Sequence, residues 1–309
     1  MTTNEAVMPG KSTYKTKMTS WLTLETEKTP RILLAPIVLF LLALTVYPFL
    51  YAIYIGTQDY NLADPLGKEF VGLGNVVTLF ADARFWNGLE NTVVFMAVSI
   101  IFEMILGFVL AGLLAKNFKG SAIAKSIFLL PTITTPVVVG LIWVMLYDPQ
   151  FGIISYVLGL FGHSQSWLSN EGSAIWALIA VDIWEWTPFV ALILLAGIQS
   201  LPDEPYEAAR VDGASTVQTF VHITLPLMKQ YIVIALIFRF MDSFRWFDTI
   251  YVMTQGGPGI ATETLNMFGY LQGFKFLNVG YAAVIGLFML AVITVISQSV
   301  IKKFLLPRK

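Results

Sequence analysis

Six stretches of this chain, at 32–57, 91–115, 123–147, 173–198, 231–253 and 280–301, stay apolar for about 22 to 26 residues each. At 1.5 Å rise per residue, helices of that length exceed the roughly 30 Å hydrocarbon core of a bilayer. A backbone surrounded by lipid has no water to satisfy it, so only helices and closed barrels can span, and the alternating segments of a barrel are not seen. The sequence therefore predicts an all-α integral membrane protein with six tilted transmembrane helices. A mean hydropathy of +0.72, with 56% hydrophobic and 13% charged residues, is far from a soluble domain.

Cations orient the spans. Lys11, Lys15, Lys17, Lys28 and Arg31 precede the first run, Lys116, Lys119 and Lys125 lie between the second and third, Arg210 and Lys229 between the fourth and fifth, and Lys302, Lys303, Arg308 and Lys309 close the chain. Only Lys68, Arg84 and Lys275 fall on the other side. The positive-inside rule then places both termini and the 201–229 segment in the cytoplasm. The first apolar run is too long and too late for a cleavable signal, so it stays as an anchor. The expected division is a cytoplasmic tail at 1–31, a six-helix domain at 32–301 and a short cytoplasmic tail at 302–309.

Several function classes drop out. The absence of cysteine removes disulfides, Fe–S clusters and thiol catalysis, and a net charge of −1 argues against nucleic acid. No Walker motif is present, so the chain does not hydrolyse ATP by itself. His163 and His222 fall on opposite sides of the membrane in this topology, which excludes a shared metal site, and no Ser/His/Asp set shares a face.

The segment 201–229 is a polar island. Asp203 is expected to cap a helix with Pro205 in its first turn, and Gly213 to end it in the left-handed conformation. Ser215 and Gln218 make a capping box for a second short helix, which Pro226 stops or bends. A plain amphipathic linker fits the pattern too. A DNA-binding helix-turn-helix does not, because Arg210 and Lys229 are the only cations.

Glu207-Ala208-Ala209, followed by Asp212-Gly213-Ala214 and by Ile-Thr-Leu-Pro from Ile223 to Pro226, resembles the EAA coupling loop of ABC importer membrane subunits. The resemblance runs from 36 to about 304 and is to the carbohydrate branch, the maltose, trehalose and glycerol-3-phosphate permeases. It implies a type I importer fold in the cell membrane, paired with a second similar permease. Two ATPase subunits would hold ATP and Mg, leaving this chain no cofactor of its own, and an extracytoplasmic solute-binding protein would deliver a sugar. It also implies roles. Glu207 would pair with an arginine of the ATPase, Ala208 and Ala209 would allow close approach, and Gly213 would set the angle between the two helices.

Charges inside the spans call for partners or a wet cavity, since each costs several kcal/mol in lipid. The fourth run carries Asp182, Trp184, Glu185, Trp186 and Pro188; the fifth carries Arg239, Asp242, Arg245 and Asp248, three residues apart on one slowly winding stripe, with Phe244, Trp246 and Phe247 among them. Glu103 is alone in the second. One reading is a sugar path, with hydrogen-bonding charges and flat aromatic faces. The other is an ion-paired network holding these helices to the partner subunit. Balanced charge suits a neutral di- or oligosaccharide or polyol, while Arg239 or Arg245 leaves glycerol phosphate open. Two other classes stand beside the importer. A stand-alone proton-coupled transporter would use the carboxylates but has no need of a structured cytoplasmic loop. A membrane enzyme would use Asp182 and Glu185 as acid and base.

Smaller features complete the reading. Pro131 and Pro136 bend the third run, as hinge or packing device, with Thr132, Thr134 and Thr135 to take up freed backbone groups. The phrases 70–75 and 85–92 resemble the carbohydrate branch, and Phe85 with Trp86 also fits an interfacial aromatic belt. Residues 148–161, with Asp148, Pro149 and Gly152, suggest a short helix on the outer surface. Gly256, Gly257, Pro258 and Gly259 are expected to form an exposed outer turn, which by resemblance lies near the external gate and the docked binding protein.

Overall fold

The computed structural model describes residues 28–116, 120–162 and 166–305. Most of the N-terminal tail, with Lys11, Lys15 and Lys17, lies outside the described residues, as do Lys119, His163, Arg308 and Lys309.

The first apolar run forms α1, Lys28–Gly56, which starts ahead of 32 and contains Pro36 and Pro48. The chain falls into two units that divide within this helix, up to Tyr51 and from Ala52 onward, and the second unit holds all the remaining elements. A hairpin comes next, β1 (Gln58–Asn61) antiparallel to β2 (Asp64–Phe70). It adds a small strand element to the all-helical expectation. The Asn61 side chain accepts the Ala63 N–H at 2.8 Å in an Asx turn, which reverses the chain.

After α2 (Gly74–Ala81), Asp82 accepts the Arg84 N–H at 2.8 Å and caps α3, Ala83–Leu114. That cap starts the helix ahead of position 91. The third run is two helices, α4 (Ser121–Ile133) and α5 (Pro136–Leu146), bent by 94°. Pro131 stays inside α4, and the break falls just before Pro136, where Thr134 and Thr135 are both extended. Proline disfavours the helical region for the residue preceding it.

Next come α6 (Ile153–Leu160) and α7 (Glu171–Gln199), the latter capped by Asn170. The polar island gives α8 (Glu204–Val211) and α9 (Thr216–Thr219), then a π-helical turn Phe220–Thr224 and α10 (Leu225–Leu227). The chain then bends by 69° into α11, Lys229–Ser243. Pro226 cannot donate to the backbone ladder and crowds the preceding turn, which the wider π turn accommodates. The fifth run is thus also interrupted, with α12 (Asp248–Met253) after a non-helical stretch. The chain finishes with α13 (Leu265–Tyr270), a π turn Leu271–Lys275 and α14, Val279–Phe304. Among the described residues four helices, α1, α3, α7 and α14, are long and apolar enough to cross a membrane, or up to six spans if each bent pair counts as one.

Helix α7 supplies the middle of the second unit. Its Ala177, Leu178 and Val181 pack with Phe95 of α3, Val139 of α5 and Ile250 of α12, and its Val190 and Leu194 pack with Ala111 of α3 and Ala235 of α11. Gly107 lets α3 approach it closely, since a Cβ there would stand 2.8 Å from Val190 Cγ1. A third cluster joins Phe85 and Leu79 to Phe268 of α13 and Ile285 of α14. Phe85 is therefore a fully buried core residue and not part of an interfacial belt, whereas Trp86 is half exposed.

Candidate functional site

Three helices meet at one guanidinium. Arg239 of α11, with no exposed surface, donates from Nε and Nη2 to the two carboxylate oxygens of Glu103 on α3, at 2.5 and 2.6 Å. Nη2 also reaches Asp182 of α7 at 2.9 Å, and Nη1 reaches Asp242 at 3.1 Å. Four of its five N–H donors are thereby used. The ring of Trp186 lies 4.9 Å from the guanidinium carbon. Burying a lone charge costs several kcal/mol, and forked geometry of this kind is what offsets it. Glu103 thus has a partner far away in the sequence. Glu185, one turn from Asp182, is 1% exposed, and neither of its carboxyl oxygens has a hydrogen-bond partner among the described residues.

Next to this cluster the two interrupted runs touch. The hydroxyl of Thr249, at the start of α12, lies 3.5 Å from the carbonyl of Pro136, the first residue of α5. Around that point a cleft of about 250 Å³ is lined by Pro136, Trp186, Asp242, Arg245, Trp246, Phe247 and Asp248. Irregular backbone at membrane depth is tolerated where it lines a cavity or is covered by protein. Trp186 and Trp246 meet edge to face at 5.9 Å, and Arg245 leans toward Asp242 at 3.9 Å.

The expected single stripe of charges is cut. Because α11 ends at Ser243, Arg239 turns into the protein while Arg245 and Asp248 are exposed and Asp242 lies between. Trp184 stands apart from the other candidates: it is 44% exposed and packs on Trp143 at 5.5 Å, away from Trp186.

The polar island folds locally much as its sequence dictates. Ser215 Oγ accepts from Gln218 N and Gln218 Oε1 accepts from Ser215 N, the two halves of a capping box. At the end of α8, Gly213 has φ of +71°. The Ala214 N–H bonds the Ala209 carbonyl at 2.9 Å and the Gly213 N–H bonds that of Arg210 at 3.3 Å, a Schellman ending. Asp203 is different. Its backbone is already helical and its side chain caps nothing, so only its carbonyl serves α8. The Tyr206 hydroxyl donates to Thr224 Oγ1 at 3.1 Å and ties α8 to the π turn. Ala209 is buried; Ala208, Glu207 and Asp212 are exposed, and Glu207 lies 4.0 Å from Arg210 in a loose surface pair. Val211 and Val217 are 88% and 71% exposed, an apolar surface that the sequence pattern did not single out.

The glycine turn is held, not free. Gly256 is buried, Gly257 and Pro258 are half-buried, and of the four only Gly259 is exposed. Thr262 donates to the Gly257 carbonyl at 2.8 Å and pairs with Thr254 at 2.8 Å. Glu263, 1% exposed, takes a forked ion pair from Arg84 at 2.7 and 2.6 Å, and Asn87 and Asn91 donate to the Ile260 carbonyl. The signal for this was the polar run Thr262-Glu263-Thr264 together with Arg84, read from sequence only as a turn. Asp148 makes an Asx turn ahead of the short helix α6, accepting from Gln150 N and Phe151 N.

Comparison with known proteins places this architecture. The profile of the family described as binding-protein-dependent transport system inner membrane component matches residues 103–306. A probable ABC transporter permease of Sinorhizobium fredii is 36% identical over 256 residues, covering 82% of each chain. A trehalose/maltose transport system permease of Thermococcus litoralis is 39% identical, over 69% of this chain and 71% of its own. A trehalose transport system permease of Mycobacterium tuberculosis is 34% identical, over 88% and 87%. Among solved structures, a chain of a bacterial ABC transporter that imports the polysaccharide alginate superposes with a TM-score of 0.76 at 22% identity, over 91% of this chain and 96% of that one. With this type I permease fold and that profile over residues 103–306, the chain belongs to the multi-pass inner membrane components of binding-protein-dependent ABC transport systems, among relatives that serve carbohydrate importers.

Proposed function

We propose that this chain forms half of the translocation path of a sugar importer and is driven through the 201–229 segment by a separate ATPase. The observation that carries the reading is the cleft of Trp186, Asp242, Arg245, Trp246, Phe247 and Asp248, opened where two broken helices meet. Indole faces suit the apolar side of a pyranose, and the charged groups offer directional bonds to hydroxyls. Trehalose and maltose in the relatives' names support a neutral di- or oligosaccharide.

In this reading each bent helix pair counts toward one of six spans, both termini are cytoplasmic, and a second permease completes the path. ATP and Mg are held by two ATPase subunits in the cell membrane complex, and this chain binds no cofactor. Glu207, Ala208 and Ala209 with the exposed Val211 and Val217 form the docking face, and the capping box and Schellman ending keep it rigid enough to carry movement. The outer 254–264 segment receives the loaded solute-binding protein; a bacterial alginate transporter of the same fold was also solved with its pentasaccharide-bound periplasmic protein.

The test is a mild-detergent pull-down of the tagged chain from its native membrane, followed by ATPase assay with candidate disaccharides and the co-purified binding protein. Recovery of an ATPase and a second permease, with hydrolysis raised by one sugar, is the expected result. Recovery of the chain alone, with uptake in vesicles driven by a proton gradient, overturns it.

A further inference from the structure

An apolar groove of about 710 Å³ lies between α11 and α14, on a face used by neither the buried ion cluster nor the cleft. Ile232, Leu236 and Phe240 line one wall and Ile296 and Val300 the other. From Lys229 to Phe240 it follows α11 for roughly 16 Å, about one leaflet of the ~30 Å hydrocarbon core. Ser297, 8% exposed, lines the groove with a hydroxyl that has no partner among the described residues.

The charge at one end is what selects an occupant. Lys229 and Lys303 both place their ammonium groups 5.2 Å from the Phe304 ring, and Lys302 adjoins them in the last turn of α14. All three are exposed, and among the described residues none is in an ion pair. Lysines at the end of α14 suit its dipole, but Lys229 opens α11, where the dipole favours an anion. A cation cluster there lacks a counter-charge of its own. Apolar length below and positive charge at the mouth is the chemistry of one ligand type, an acyl chain carrying a phosphate headgroup.

We propose that the α11–α14 groove binds an anionic phospholipid, its phosphate held by Lys229 and Lys303 and its acyl chain lying along Phe240 and Val300. Because Val221 and Leu225 also line the groove, the bound lipid packs against the C-terminal part of the 201–229 segment.

The test is native mass spectrometry of the full complex, delipidated in mild detergent and titrated with phosphatidylglycerol or with phosphatidylcholine of the same chains. Wild-type complex is expected to retain phosphatidylglycerol preferentially, and Lys229→Gln with Lys303→Gln to weaken that preference about twenty-five-fold, roughly fivefold for each lysine. Val300→Trp fills the groove and is expected to reduce retention of both lipids. Unchanged preference in the lysine double variant overturns the proposal, as does unchanged retention in Val300→Trp. Competition by inorganic phosphate alone would reveal a free-anion site, and a disulfide cross-link seating a helix of the second permease in the groove would reveal a protein occupant; either result overturns it.

Discussion

Arg239 and Glu103, 136 positions apart in the chain, form a forked ion pair with both side chains fully buried, and Asp182 and Asp242 share the same guanidinium. Removing the cation leaves two carboxylates, Glu103 and Asp182, unpaired out of water, with the partly exposed Asp242 beside them. Arg239→Ala is therefore expected to destabilise the second unit by about 3–5 kcal/mol, and Glu103→Gln, which keeps shape and one acceptor, by clearly less. Thermal unfolding of the purified complex in detergent measures both. A midpoint for Arg239→Ala equal to wild type removes the structural role of the cluster.

In the polar island the conformational demand on Gly213 separates from any packing demand. Its φ is +71° and a Cβ there would meet nothing within 4 Å. Gly213→Ala is expected to cost about 1–2 kcal/mol locally and to leave reduced uptake. Gly213→Pro also removes the N–H donated to Arg210 and forbids positive φ, so uptake is lost while membrane insertion stays normal. Glu207→Lys reverses the proposed docking charge with the same outcome. Glu207→Ala is milder, because an exposed pair is worth about 0–1 kcal/mol. Normal sugar uptake by Gly213→Pro and Glu207→Lys together removes the coupling assignment.

What could be read from sequence divides along the range of the interactions. Ser215 with Gln218, and Gly213, act within a turn, and each appears in the structure as its local chemistry requires. Asp203 shows the limit of that reasoning, since a good capping residue does nothing once its own backbone is helical. The pairing of Glu103 with Arg239 depends on α3 and α11 both packing beside α7, which spacing along one helix cannot express. The three-residue spacing of Arg239, Asp242, Arg245 and Asp248 suggested one stripe only while the helix was assumed continuous. Its end at Ser243 turns the last two charges outward. Phe85 went the same way, because its partner Phe288, at 5.2 Å, comes from the other end of the chain.

The cleft allows stability and transport to be separated. Arg245 is 65% exposed, so Arg245→Gln is expected to change stability by no more than about 0.5 kcal/mol. If the cleft meets cargo, the same variant raises the sugar concentration needed for half-maximal uptake. Trp246 is 7% exposed and packs on Phe95 and Trp186, and its truncation to alanine is expected to cost about 3–5 kcal/mol as well as transport. Transport by Arg245→Gln indistinguishable from wild type across sugar concentrations would place the path elsewhere.

Arg84 and Glu263 join α3 to the glycine turn, with Glu263 1% and Arg84 33% exposed. This asymmetry sets the expectation. Arg84→Met strands a buried carboxylate and is expected to cost about 1–3 kcal/mol, loosening the segment that Thr262, Asn87 and Asn91 otherwise hold. Adding Glu263→Gln removes the stranded charge and is expected to recover part of the loss, a coupling of about 0.5–3 kcal/mol between two touching groups. Protease cleavage between 255 and 262 in right-side-out vesicles reports the loosening, and thermal unfolding of the four proteins in the cycle reports the coupling. Additive losses, with cleavage no faster in Arg84→Met than in wild type, would mean that the hydroxyl and amide bonds alone hold the turn and that the ion pair contributes nothing to it.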